Sequence, residues 1–310
     1  SYFTIIDGVI YIESNSSYLT ALDSQTGQLK WKFKTEGAVS RSPAIREGVI
    51  YIGSGDSYVY AIDCQSGQLK WKFETERAVS YFIIIDGVIY IESNFSYLYA
   101  LDSKSGQLKW KLKTERVILK TPSILDGVIY LESNISYLYA LDSKSGQLKW
   151  KFKAERPNVQ TPTILDGVIY IGGGALYALD SESGQLKWKF KAERAFSYPY
   201  IIDGVIYIDC KDGYLYALDS QSGQLKWKFE TEWILNSAPV ISEGVIYFDD
   251  LDSYIYAVDS ESGKLKWKFK SEDDISCSPT IKDGVIYFWS ESEDSYLYAL
   301  DCQSGQLMWK

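Results

Sequence analysis

One unit, written eight times, accounts for the whole chain. A tryptophan closing the string GQLKW, or a close variant of it, stands at Trp31, Trp71, Trp110, Trp150, Trp188, Trp227, Trp267 and Trp309. The spacings are 40, 39, 40, 38, 39, 40 and 42 residues. A second string, Asp/Glu-Gly-Val-Ile-Tyr, recurs with its glycine at Gly8, Gly48, Gly87, Gly127, Gly167, Gly204, Gly244 and Gly284. A third, usually Tyr-Leu-Tyr-Ala-Leu-Asp, ends at Asp23, Asp63, Asp102, Asp142, Asp180, Asp219, Asp259 and Asp301. A period near forty residues belongs to stacked architectures, in which one unit cannot bury its apolar surface alone. The 310 residues leave no linker or second domain.

Each unit reads as four short strands. In the second, residues 42–45 form strand one, 49–54 strand two, 58–63 strand three and 68–74 strand four. The segments are β-branched and aromatic, and Gly, Asp and Ser turn clusters separate them. Strands two and three are apolar on both sides, so sheets must cover them above and below. Strand four alternates, with Leu29, Trp31 and Phe33 facing one way and Lys30, Lys32 and Lys34 the other, as on a half-exposed outer edge. Charged side chains there discourage edge-to-edge association. Pro43, Pro122, Pro162, Pro199, Pro239 and Pro279 fall in strand one, and proline cannot donate to a ladder, so strand one is the other edge. The expected fold is all-β: an eight-bladed β-propeller of four-stranded antiparallel blades around a central channel. The blades span about 1–36, 37–76, 77–115, 116–155, 156–193, 194–232, 233–272 and 273–310 of a single domain.

The run Ala61-Ile62-Asp63-Cys64-Gln65-Ser66-Gly67-Gln68-Leu69-Lys70-Trp71 resembles the tryptophan-docking motif of quinoprotein-type propellers, whose repeats are PQQ-like. The likeness recurs in all eight units. It implies that the eight tryptophans are structural, each packing between adjacent blades, with Asp and Gly shaping the turn before it. The family holds quinone- and calcium-dependent dehydrogenases alongside non-catalytic members, among them an outer-membrane-assembly lipoprotein and lumenal sensor domains. The enzymes carry an adjacent cysteine pair over the cofactor, whereas the cysteines here are Cys64, Cys210, Cys277 and Cys302. The enzymes are also about twice as long. The resemblance therefore implies the non-catalytic branch, with no cofactor.

Composition narrows the chemistry. There is no histidine, which removes histidine bases, Ser-His-Asp machinery and histidine metal ligands. A net charge of −9 has the wrong sign for a nucleic-acid footprint, and no apolar run is long enough for a membrane-spanning helix. Unpaired cysteines favour a reducing compartment such as the cytoplasm. The chain reads as a monomer that binds a protein partner.

Comparing the units with one another locates the binding candidates. The turns joining strands one to two and three to four hardly vary. The loops joining strands two to three, and the segments joining one blade to the next, vary freely and share the opposite face. On that face stand Trp233 and Trp289, which belong to no docking motif, and Phe95 and Ile135 at loop tips. Arg41, Lys120, Tyr81 and Tyr198 occupy inter-blade segments. Basic residues mark the connections among the first six blades, and acidic ones crowd blades seven and eight. Such polarity can orient a protein partner. Asp249, Asp250 and Asp252 offer oxygen ligands for a hard cation but lack the glycine and distal glutamate of a calcium loop. A lectin-like or small-ligand site at the channel mouth, and a quinone-dependent dehydrogenase, are the alternatives.

Overall fold

The computed structural model describes residues 2–13, 17–94, 97–113, 117–133, 136–155, 162–231, 235, 237–275, 278–291 and 295–310. Among them there is no helix. The strands gather into eight antiparallel sheets, each made of strands consecutive in the chain; seven have four strands paired in chain order, and the last has five, its first two short strands both pairing with Val285–Glu291. These are the eight blades of a propeller, and each is completed by its own residues. The chain divides into two compact units, 1–151 and 152–310.

Blade two shows the pattern. Its strands are Val39–Arg46, Val49–Ser54, Tyr58–Asp63 and Leu69–Glu74. Strand one is an edge, and proline shapes it. Pairing jumps from Ser40 opposite Gly53 to Ala44 opposite Tyr51, so Pro43 sits where the ladder is broken. In blades five to eight a strand begins directly after Pro162, Pro199, Pro239 or Pro279, at Thr163, Tyr200, Val240 and Thr280, and in blade eight a two-residue strand, Asp274–Ile275, stands ahead of the proline.

The core lies between sheets. Tyr51, Val59 and Ala61 of blade two pack with Ile89, Ile91, Tyr99 and Leu101 of blade three. Tyr207, Leu215 and Ala217 of blade six meet Ile246, Phe248, Tyr256 and Val258 of blade seven. Strands two and three are therefore buried on both faces, and removing a neighbouring blade would wet one of them.

Strand four departs from the expected alternation. Ala61 pairs with Trp71, but Ile62 pairs with Leu69, which leaves Lys70 as the extra residue of a β-bulge. The bulge turns the leucine away from its tryptophan. Leu69 is 44% exposed, and Leu29, Leu108, Leu148, Leu186, Leu225, Leu265 and Leu307 are exposed as well. The second lysine of the strand also has a partner that alternation alone does not reveal. The Lys32 ammonium lies 3.9 Å from the Tyr18 ring centre, and Lys72, Lys228 and Lys268 lie over Tyr58, Tyr214 and Tyr254.

Trp31, Trp71 and Trp110 of the first unit, and Trp188, Trp227 and Trp267 of the second, lie against the next blade's turn glycine. Carbon atoms of the Trp31 indole sit 2.6–2.9 Å from where a Cβ on Gly67 would be. Gly106, Gly146, Gly223, Gly263 and Gly305 are covered in the same way. Each indole N–H then donates to a carbonyl three residues before that glycine: Trp31 to Cys64 at 2.9 Å, Trp227 to Ser260 at 2.9 Å, Trp267 to Cys302 at 2.9 Å. Glycine is required twice over here, by the covering ring and by a backbone at φ near +70°.

Candidate binding face

The two constant turns are fixed by different means. In the first, Asp7 and Gly8 take φ of 48° and 74°, the consecutive left-handed residues of a tight hairpin. In the second, Asp63 Oδ1 accepts the Ser66 N–H at 3.0 Å, the Ser66 hydroxyl at 2.9 Å and the Gln65 N–H at 3.1 Å. The same arrangement holds Asp23, Asp142, Asp219, Asp259 and Asp301. These donors keep the aspartates below the usual carboxylate range. A carboxylate so engaged is a turn element, and little of it remains for a ligand.

The opposite face is not built alike in every blade. In blades two, six and seven a loop aspartate accepts a strand-three tyrosine hydroxyl: Tyr60 to Asp56 at 2.7 Å, Tyr216 to Asp212 at 2.8 Å, Tyr256 to Asp250 at 2.9 Å. In blades three and five the equivalent Tyr99 and Tyr177 instead accept the peptide N–H of Glu76 and Glu155. One tyrosine thus serves either way, and the loop sequence decides which.

The candidate residues scatter over this face. Tyr198 is 47% exposed in the segment entering blade six. Trp289 is 41% exposed and lies in strand two of blade eight, which runs Val285–Glu291 and pairs Trp289 with Leu297. Tyr81 lies in strand one of blade three, opposite Glu92, and is half-buried against the core. Trp233, Phe95 and Ile135 lie outside the described residues, and so do the side chains of Arg41 and Lys120. Among the docking tryptophans, Trp150 is buried, but Trp309 is 49% exposed. Trp309 packs on Tyr287 of its own blade, 6.0 Å between ring centres.

The three acidic residues considered for a cation are separately engaged. Asp249 is fully buried and accepts the Ser237 hydroxyl. Asp250 accepts the N–H groups of Asp252 and Tyr254 and the Tyr256 hydroxyl. Asp252 pairs with Lys270 at 3.6 Å. Among the described residues no three Cys, Asp or Glu side chains converge as a metal site would require.

Sequence reading passed over a buried carboxylate in strand two. Asp209, at the register that Asp249 holds in the next blade, is 7% exposed and accepts the Ser197 hydroxyl. Burial pushes its carboxyl up to about 6, with Lys211 only partly offsetting it. Tyr200 is also raised, by burial first and then by Asp209, Tyr198 and Asp249. The residue type was plain in the sequence. Its burial was not, because most copies carry Glu or Gly there.

A family model described as outer membrane protein assembly factor BamB matches residues 3–84, 84–189, 159–233 and 211–310. Among solved structures, BamB from Moraxella catarrhalis is similar at a TM-score of 0.56 and 17% identity, covering 93% of each chain. The computationally designed Ika8 protein is similar at 0.58 and 14% identity, over 95% of this chain and 94% of that one. The quinohemoprotein alcohol dehydrogenase ADHIIG from Pseudomonas putida HK5 is similar at 0.50 and 16% identity, over 94% of this chain and 69% of that one. At such identities these likenesses concern the fold. No curated protein matches the chain in sequence.

Proposed function

Since the chain belongs to the PQQ-like propeller family of the outer membrane protein assembly factor BamB, we propose that it is a non-catalytic scaffold that holds a protein partner on its variable face. One observation carries this reading. The Asp-x-x-Ser-Gly turns at one end of the blades engage their own aspartates, while the loops and inter-blade segments at the other end vary in sequence among the copies. A surface that varies over an unvarying frame is how binding proteins present recognition residues. Tyr198 and Trp289, exposed there, are of the type that anchors protein contacts.

The chemistry of the chain supports the absence of catalysis. There is no histidine to move protons and no adjacent cysteine pair to cover a quinone. The similarity to a quinohemoprotein dehydrogenase is a similarity of fold, and function resides in sites rather than folds.

The test is affinity capture with the native chain and with Tyr198→Ala and Trp289→Ala variants, all three checked to melt alike. A partner retained by the native chain and lost by either variant is the expected result. Equal retention by all three removes the variable face from consideration. Reduction of an electron-accepting dye after adding pyrroloquinoline quinone and calcium would replace the scaffold reading with an enzymatic one.

A further inference from the structure

Blade six enters its sheet by a different route from blade two. In blade two the first strand is eight residues long, Val39–Arg46, and Ser40 pairs directly with Gly53 of strand two. Blade six carries Asp209 at the register of Gly53, and its first strand is cut to Tyr200–Ile202. The residues ahead of it, 194–199, are held by isolated contacts. Phe196 bridges to Cys210, the Lys211 N–H donates to the Ala195 carbonyl at 3.0 Å, and the Ser197 N–H donates to the Asp209 carbonyl at 3.0 Å. The Ser197 hydroxyl donates to the Asp209 carboxylate beneath it. Phe196 is buried in the apolar cluster of blades five and six, whereas Tyr198, two residues on, is exposed. A segment with one buried anchor and few ladder bonds opens locally far more readily than a core strand.

What lies under that segment is a carboxyl that its surroundings prefer uncharged. Lys211, just beyond strand two, attracts the carboxylate, but less than burial opposes it. Strand one faces it with Tyr200, a phenol that burial keeps neutral and that Tyr198 and Asp249 of blade seven also approach. Blade five brings Gly172, where the Ser197 carbonyl oxygen fills the space a side chain would need. The Ser197 hydroxyl can donate to the carboxyl in either protonation state, so it does not choose between them. Ionising Asp209 under the closed segment therefore costs free energy that opening the segment, by admitting water, returns. A carboxyl titrating near 6 when covered and at an ordinary 3.8 when wet holds the segment about ten times more firmly at pH 5 than at pH 8.

We propose that Asp209 is a proton-operated latch on residues 194–199, holding the segment down when protonated and letting it lift when ionised. The latch bears on function through Tyr198, which the segment carries onto the variable face, and that consequence alone rests on the scaffold reading.

The experiment is amide hydrogen exchange of the full chain at steps from pH 5 to pH 8, corrected for the intrinsic pH dependence of exchange. Protection of the Ser197 amide should fall about tenfold across that range. The Gly223 amide of the same blade, held by the Asp219 carbonyl at 2.8 Å, should keep its protection. Asp209→Asn cannot ionise and should show no fall. Lys211→Ala removes the attracting ammonium and should move the fall to higher pH. Should Asp209→Asn melt early, Lys211→Ala decides alone. Native protection of Ser197 that ignores pH, an equal fall in Asp209→Asn or at Gly223, or a midpoint that Lys211→Ala leaves in place or lowers would each overturn the latch. Failure to capture a partner would remove the scaffold reading and leave these measurements standing.

Discussion

Gly48 and Gly67 sit in the two constant turns of the same blade, at nearly equal φ of +72° and +68°, yet their surroundings differ. A Cβ on Gly48 would meet open space, whereas one on Gly67 would fall 2.6 Å from the Trp31 ring. Gly48→Ala therefore costs only the left-handed strain of an L-residue, about 1–2 kcal/mol. Gly67→Ala adds the cost of overpacking a rigid ring, about 1–3 kcal/mol, for a total of roughly 2–5 kcal/mol. The excess can be isolated. Trp31→Ala alone leaves a cavity and should cost about 3–5 kcal/mol. In that background the further cost of Gly67→Ala should fall to the strain alone, about 1–2 kcal/mol. Urea denaturation of the five proteins under one buffer measures every corner of the cycle. Equal costs for Gly48→Ala and Gly67→Ala, or a Gly67→Ala penalty unchanged by removing the indole, would refute the claim that the ring's seat on glycine joins the blades.

Two further outcomes follow from buried groups. Asp209 titrates near 6 when folded, against an ordinary 3.8, so the folded state binds its proton more tightly than the unfolded chain. Its favourable contribution is complete below pH 3.8 and is lost as pH rises through 6, a change of about 3 kcal/mol. Asp209→Asn should accordingly be more stable than the native protein at pH 7.5 and no more stable at pH 4; a gap of equal size at both would show that the carboxylate is not the cause. Cys210 is fully buried, its thiol pushed up to about 12 by burial and donating to the Arg194 carbonyl at 3.3 Å. At pH 8 only about one thiol in ten thousand is ionised at such a value, so alkylation followed by peptide mapping should find Cys210 unlabelled while the half-buried Cys64 reacts; prompt native-state labelling of Cys210 would contradict its placement.

The blade was legible in the sequence because period, turn chemistry and apolar runs all imply the same unit. Strand order followed from the prolines of strand one and the lysines of strand four. What stayed hidden arises from contacts between copies. Leu69 looked like a partner of Trp71 on one strand face, and only the bulge at Lys70 turns it outward. Gly67 looked like a turn residue and is one, but it is also the seat of an indole 36 positions earlier. Asp212 and Asp56 look alike in the sequence. They differ in whether the preceding segment brings its peptide N–H groups within reach, which side-chain identity does not encode.

The indole-on-glycine joint has a hereditary corollary. Each unit carries a plug near its end and a socket four residues before it, both specified by the same short string. An in-frame duplication of one unit would thus create a new seam that already fits. The loops on the far side take no part in that fit, so they are free to mutate without unmaking the joinery. Lineages built this way can lengthen first and acquire their individual faces afterwards.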